Sequence, residues 1–332
     1  MITPTRHLLW FDRASAALRL PPIFGICVVG LLPAACLWYL GIDIRIATDF
    51  TGVPLVSLPL LIVNVLFLLS ASHLIRSRIQ QLKDYTLSLG AASDSDEIGG
   101  LTNVKGIVVV WALLVFLTSL VFDPYFFNLY YPPFQATLRV LVTSYLRLIQ
   151  ATFLWALGYS MYLIYKWGKL PIRLRSFVED KTLGLNAYGR ASLVFVTLYI
   201  VGMLLTFPLF VYNSDAVMWS EVIFSLLGVA MFLGPLLSLR KKLLDAKNDK
   251  LAWISKRHSR VIESIESCGE GPINAALVNE LIAVDSIRND LQRISGWPFN
   301  ASVVVKLVTV VVLPLTCVLL STCIVHFLNL SA

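Results

Sequence analysis

Charge is what this chain has least of. Only 14% of its 332 residues are Asp, Glu, Lys or Arg, where a soluble protein carries about 25%. Water therefore cannot be the solvent for most of the chain. The four histidines, His7, His73, His258 and His326, fall in four separate regions, which argues against a metal cluster. The cysteines, Cys27, Cys36, Cys268, Cys317 and Cys323, form no CxxC pair, so neither a zinc site nor a disulfide framework is indicated. HExxH, GxSxG, P-loop and paired intramembrane aspartates are also missing. The sequence thus assigns no catalytic, cofactor-binding or metal-ligating residue, names no cofactor, and reads as a non-enzyme.

What the chain has is apolar surface: 57% hydrophobic residues and a mean hydropathy of +0.77. The expectation is an all-α integral membrane protein, multi-pass in the cell (inner) membrane, whose main partner is the lipid bilayer. Stretches near 21–41, 53–71, 106–123, 140–165, 191–212, 219–239 and 303–327 are each long enough for a ~30 Å hydrocarbon layer. That predicts seven transmembrane helices. The net charge of +7 sits in alternate connectors. Arg6, Arg13 and Arg19, then Arg76, Arg78, Lys83 and Lys105, then Lys166 to Arg190, then the 240–299 segment lie on one side. The other side carries Arg45 and Arg139 with Asp43, Asp49, Asp123, Asp215 and Glu221. This asymmetry predicts an inside N-terminus and an outside C-terminus, and is a topology signal rather than a nucleic-acid footprint.

The segment 240–299 cannot sit in lipid. Leu244, Leu251, Ile254, Val261 and Ile265 recur at seam spacing, with Lys247 and His258 filling the gaps. Ile273, Leu277, Val284, Ile287, Leu291 and Ile294 repeat the pattern, interrupted by Glu280. Gly269, Gly271 and Pro272 supply a turn between them. The spacing predicts a cytosolic helical hairpin between spans six and seven. Four regions follow: an interfacial amphipathic segment (1–20), a six-span bundle (21–239), the hairpin (240–299), and the seventh span with a short outer tail (300–332).

Candidate functional polar residues are few. Arg139 and Arg147 share a face of the fourth span with Thr143 and Gln150, and intramembrane arginine is expensive. Arg147 lies 19 residues from Lys166, about 28 Å along a helix. That suggests pairing near the outer surface with Asp123, Asp215 or Glu221. Lys306 opens the last span, either snorkelling to headgroups or ringing an oligomer axis. Asp94, Asp96 and Glu97 lie in GAASDSDEIGG, which reads as a solvated loop because it lacks EF-hand spacing. The aromatic connector 124–135, PYFFNLYYPPFQ, fits an interfacial belt or a partly re-entrant loop.

Two runs carry a resemblance. The connector LPIRLRSFVEDKTLGLNAYGRASL holds Asp180, Lys181, Gly184, Leu185 and Gly189; the entry to the last span, RISGWPFN, holds Ile294, Trp297, Pro298 and Phe299. Both resemble a group of uncharacterised prokaryotic polytopic membrane proteins with a D-[KR]-x-x-G-L-x-x-x-G connector and a W-P-F entry to the final helix. Related chains often place His-Pro before that aspartate, where this one has Val178 and Glu179. The resemblance implies an inner-surface structural motif and no activity. In layout alone the chain also looks like insect odorant and gustatory receptors, although their last-span Thr-Tyr signature is not found. The expectation is a non-enzymatic membrane sensor, channel or scaffold, a homo-oligomer through the hairpin and last span, with a cytosolic protein partner on the hairpin as a further option. The alternative is a monomeric transporter or an intramembrane enzyme with scattered polar residues.

Overall fold

A computed structural model describes residues 9–17, 21–39, 54–90, 95–126, 133–171, 182, 184–206, 214–267, 275–292, 296–297, 305–306 and 308–309. Among them the elements are all helical: α1 (Trp10–Ala17), α2 (Pro22–Tyr39), α3 (Pro54–Ser88), α4 (Val104–Phe126), α5 (Pro133–Lys169), α6 (Asn186–Thr206), α7 (Ser214–Ser267) and α8 (Ala275–Gln292). A 3₁₀ segment, Ser95–Thr102, joins α3 to α4. Proline opens α2, α3 and α5, where its missing N–H leaves no helical bond unmade. Asn103 caps α4 by accepting from the Lys105 amide at 3.1 Å.

Four of the helical stretches are long and apolar enough to cross a membrane: Leu60–Ser88, Glu97–Phe116, Val140–Lys169 and Asn186–Leu205. The protein is in this sense a helical membrane protein. The larger part of the expected seventh span, the hairpin turn at 268–274 and the aromatic residues 127–132 lie outside the described residues.

α5 is the central helix, packed against α7, α3 and α4. Small residues set these approaches, as expected where lipid gives helices no hydrophobic reason to associate. A Cβ on Gly106 of α4 would fall 2.3 Å from the Trp155 ring of α5, and one on Gly168 would fall 2.2 Å from Ser238 Oγ of α7. Trp167, Tyr188, Tyr199, Phe195 and Phe232 fill the core between α5, α6 and α7. Opposite them, Val109 and Phe116 of α4 and Leu141 of α5 point outward, as lipid-facing side chains would.

α1 is docked against α2, with Leu9, Phe11, Asp12 and Ser15 buried by protein. Two expectations need correction. The loop around Glu97 is not wholly solvated. Its Ile98 and Leu101 enter the core and Glu97 is 8% exposed, because α5 offers it two donors. Nor does the hairpin begin as a separate element at Arg240. α7 runs 54 residues without interruption, with Pro235 inside it. That is about 80 Å of helix.

Beyond the bundle α7 and α8 pair as the heptads require. Ile254, Val284 and Leu291 are buried together with Leu251 beside them. Arg257 Nη2 pairs with Glu280 at 2.7 Å, and His258 Nε2 lies 3.4 Å from Asp285. Glu280, an interruption in the apolar pattern, is thus one of the residues that tie the two arms.

Candidate functional site

Charged residues such as Arg76 and Lys83 of α3, Lys166 of α5 and Arg240 and Lys242 of α7 follow the apolar parts of their helices in sequence. Three polar arrangements link different helices.

The first is the seat of α1. Asp12 is 5% exposed, and its Oδ2 accepts from Arg76 Nη1 of α3 at 3.2 Å. His73 Nδ1, one turn earlier on α3, lies 3.6 Å from Asp12 Oδ1. Trp10 Nε1 donates to Thr152 Oγ1 of α5 at 2.9 Å, and its ring meets Tyr145 edge-on at 6.2 Å. Gly25 of α2 is required beside it, since a Cβ there would collide with Ser15 Oγ. A buried carboxylate is tolerable only when paired, and Arg76 meets that condition.

The second is the clasp on the 3₁₀ segment. Glu97 takes Lys166 Nζ at 2.9 Å on Oε1 and the fully buried Trp167 Nε1 at 2.7 Å on Oε2. Its carbonyl accepts from Tyr159 O–H at 3.1 Å.

The third joins α3, α6 and the connector before α6. Tyr85 O–H donates to Gly184 O at 2.7 Å, and the hydroxyls of Thr86 and Tyr188 meet at 2.7 Å in the core. Since Thr86 Oγ1 donates to Leu82 O at 2.7 Å, Tyr188 is the donor of that pair. Gly184 has φ 87°, a left-handed conformation that favours glycine, and Gly189 is buried in α6.

The expected site residues fall in different places. Arg147 is 7% exposed inside the bundle, and its Nη1 donates to Gln150 Oε1 at 2.7 Å. The side chains of its expected carboxylate partners and of Arg139 are not among those described. Asn64 of α3 is also buried. Lys306 is exposed. Trp297 stacks on the Arg240 guanidinium, 4.4 Å from the ring centre, and so fixes the end of the hairpin to its root on α7. Lys242 Nζ donates to Leu170 O just after α5. Burial holds the Lys242 ammonium below the usual lysine range. Asp180, Lys181, Pro298 and Phe299 lie outside the described residues.

Sequence reading missed Asp12, Arg76 and Trp167. Asp12 was readable only as the one acid on a short amphipathic stretch. Its partners are 61 and 64 positions away, beyond the reach of any local pattern. Among the described residues no group of three metal-ligating side chains occurs. No protein-family model, no curated protein and no solved structure matches the chain.

Proposed function

We propose that the chain is a non-enzymatic sensor, channel or scaffold of the cell (inner) membrane. It would have seven spans, an inside N-terminus and an outside C-terminus, and would oligomerise through the hairpin and last span. One observation carries this reading. α7 leaves the bundle without a break and pairs with α8 around a thin core of Ile254, Val284 and Leu291. At the same time Trp253 and Ile282 stay 61% and 62% exposed. Isolated exposed apolar residues are ordinary, but a polar hairpin that displays Trp253, Val278, Ile282 and Ile287 has surface to offer another chain. The basic connectors at the hairpin end support the orientation.

Native mass spectrometry from mild detergent, with and without residues 243–295, tests it. A ring that depends on the hairpin supports the proposal and directs attention to ion flux and Lys306. A monomer in both cases overturns it. The buried Arg147–Gln150 pair and Asn64, polar groups inside apolar helices, favour the second reading, a monomeric transporter. Substrate-dependent thermal stabilisation of a monomer, lost in Arg147→Leu, would support that reading instead.

A further inference from the structure

We infer, resting on the oligomer proposed above, that copies of this chain join head to tail, the two flanks of the hairpin forming the two halves of one contact. Two side-chain pairs bracket the apolar seam between α7 and α8 and so define the flanks. Arg257 reaches Glu280 on one, and His258 faces Asp285 on the other. Trp253 belongs to the first flank, since the Arg257 guanidinium lies 5.9 Å from its ring centre. Ile282 belongs to the second, because Val278, Ile282 and Asp285 follow one another at intervals of four and three, one stripe of α8. The described residues leave both Trp253 and Ile282 uncovered.

The flanks differ in charge. Neighbours on a helix surface lie three, four and seven positions away. For Trp253 these include Lys250, Lys256, Arg257 and Arg260 against Asp249, four cations less one acid. Glu280 offsets one of the four, and the surroundings of Trp253 stay positive. For Ile282 the single charged neighbour is Asp285. The same bias runs along the arms. Residues 240–267 hold eight Lys or Arg and four Asp or Glu, whereas 275–292 hold Arg288 against Glu280, Asp285 and Asp290.

An apolar patch set among cations fits an apolar patch beside an acid. Two Trp253 flanks brought together would set cation against cation, which disfavours a two-fold dimer. Joining unlike flanks leaves one open flank at each end, and such a contact closes as a ring or runs on as a filament. The bilayer favours the ring. It holds every copy in one orientation, so each step is a rotation about the membrane normal, and repeated rotation returns on itself. The flanks lie on opposite sides of the seam, which is the placement a ring needs.

Native mass spectrometry of the full chain from mild detergent tests this, with Trp253→Asp and Ile282→Asp made separately. The parent should give a single species larger than a dimer. Each variant should fall to monomer, its assembly weakened about tenfold or more by loss of an interface anchor. Mixed in equal amounts, the two variants should form heterodimers and nothing larger, because each supplies the flank that the other has lost. Trp253→Ala and Ile282→Ala repeat the mixing without adding charge, and amide exchange across α8 shows that the hairpin is kept. A dimeric parent, a variant that keeps the parent's size, or a mixture that stays monomeric overturns the head-to-tail contact and leaves the oligomer standing. A monomeric parent overturns both, and leaves the hairpin to a cytosolic protein.

Discussion

Replacing Glu97 separates a hydrogen bond from an ion pair in one experiment. Glu97 Oε1 meets Lys166, whose side chain is 44% exposed, while Oε2 meets Trp167 Nε1 in the core. An ion pair with one partner so exposed contributes little after screening. A buried indole N–H left without an acceptor costs about 1–3 kcal/mol. Glu97→Gln keeps an oxygen for Trp167 and loses only the charge, so it should cost little. Glu97→Ala loses both and should cost about 1–3 kcal/mol, set by the unpaired indole N–H. In a Trp167→Phe background Glu97→Ala should be milder, with a coupling energy of about 1–2 kcal/mol. Reversible unfolding in mixed micelles compares the parent with all four variants. If Glu97→Gln is as damaging as Glu97→Ala, the charge rather than the hydrogen bond holds the 3₁₀ segment, and the reasoning fails.

Close helix contacts give a second expectation. Gly106→Ala drives a Cβ into the Trp155 ring, which also donates to Gly100 O, and should destabilise the bundle by about 1–3 kcal/mol. Gly158→Ala on α5 has open space around it and should be neutral or mildly stabilising, so equal melting temperatures for the two variants would count against the packing described. Ile254→Ala should cost the hairpin about 2–4 kcal/mol and speed amide exchange across α8 while leaving α3 and α6 unchanged, because the hairpin core is separate from the bundle core. Loss of protection in both regions would show that the two cores unfold together.

How far the sequence could be read depended on the range of the interaction. Apolar runs of 18 or more residues and heptad spacing are local patterns, and the long helices α3 to α7 and the α7–α8 register follow from them. The seam residues Ile254, Val261, Val284 and Leu291 are buried as their spacing requires. Ile287, also on the seam by spacing, is 38% exposed, since two helices have only one mutual face and a third partner is needed to cover more. The docking of α1 was not readable, because its alternation of Arg13 with Leu9 and Phe11 suits a lipid surface and a protein groove equally. The groove exists only once α2, α3 and α5 have assembled. Glu97 was misjudged for the same reason: a Gly-Ser-Asp setting signals a loop, but whether the loop is wet depends on what the next helix presents.

The sequence alone determined that this is a helical protein with stretches long and apolar enough to cross a membrane, and with a polar pair of helical arms, because hydropathy and period are properties of consecutive residues. Only the tertiary structure decided which polar side chains are buried in pairs. Asp12 with Arg76, Glu97 with Trp167 and Thr86 with Tyr188 are each separated by 64 to 102 positions. Nothing in the chain near either member of such a pair records the other. Desolvation selects the partner when the helices close, and that choice is made in space.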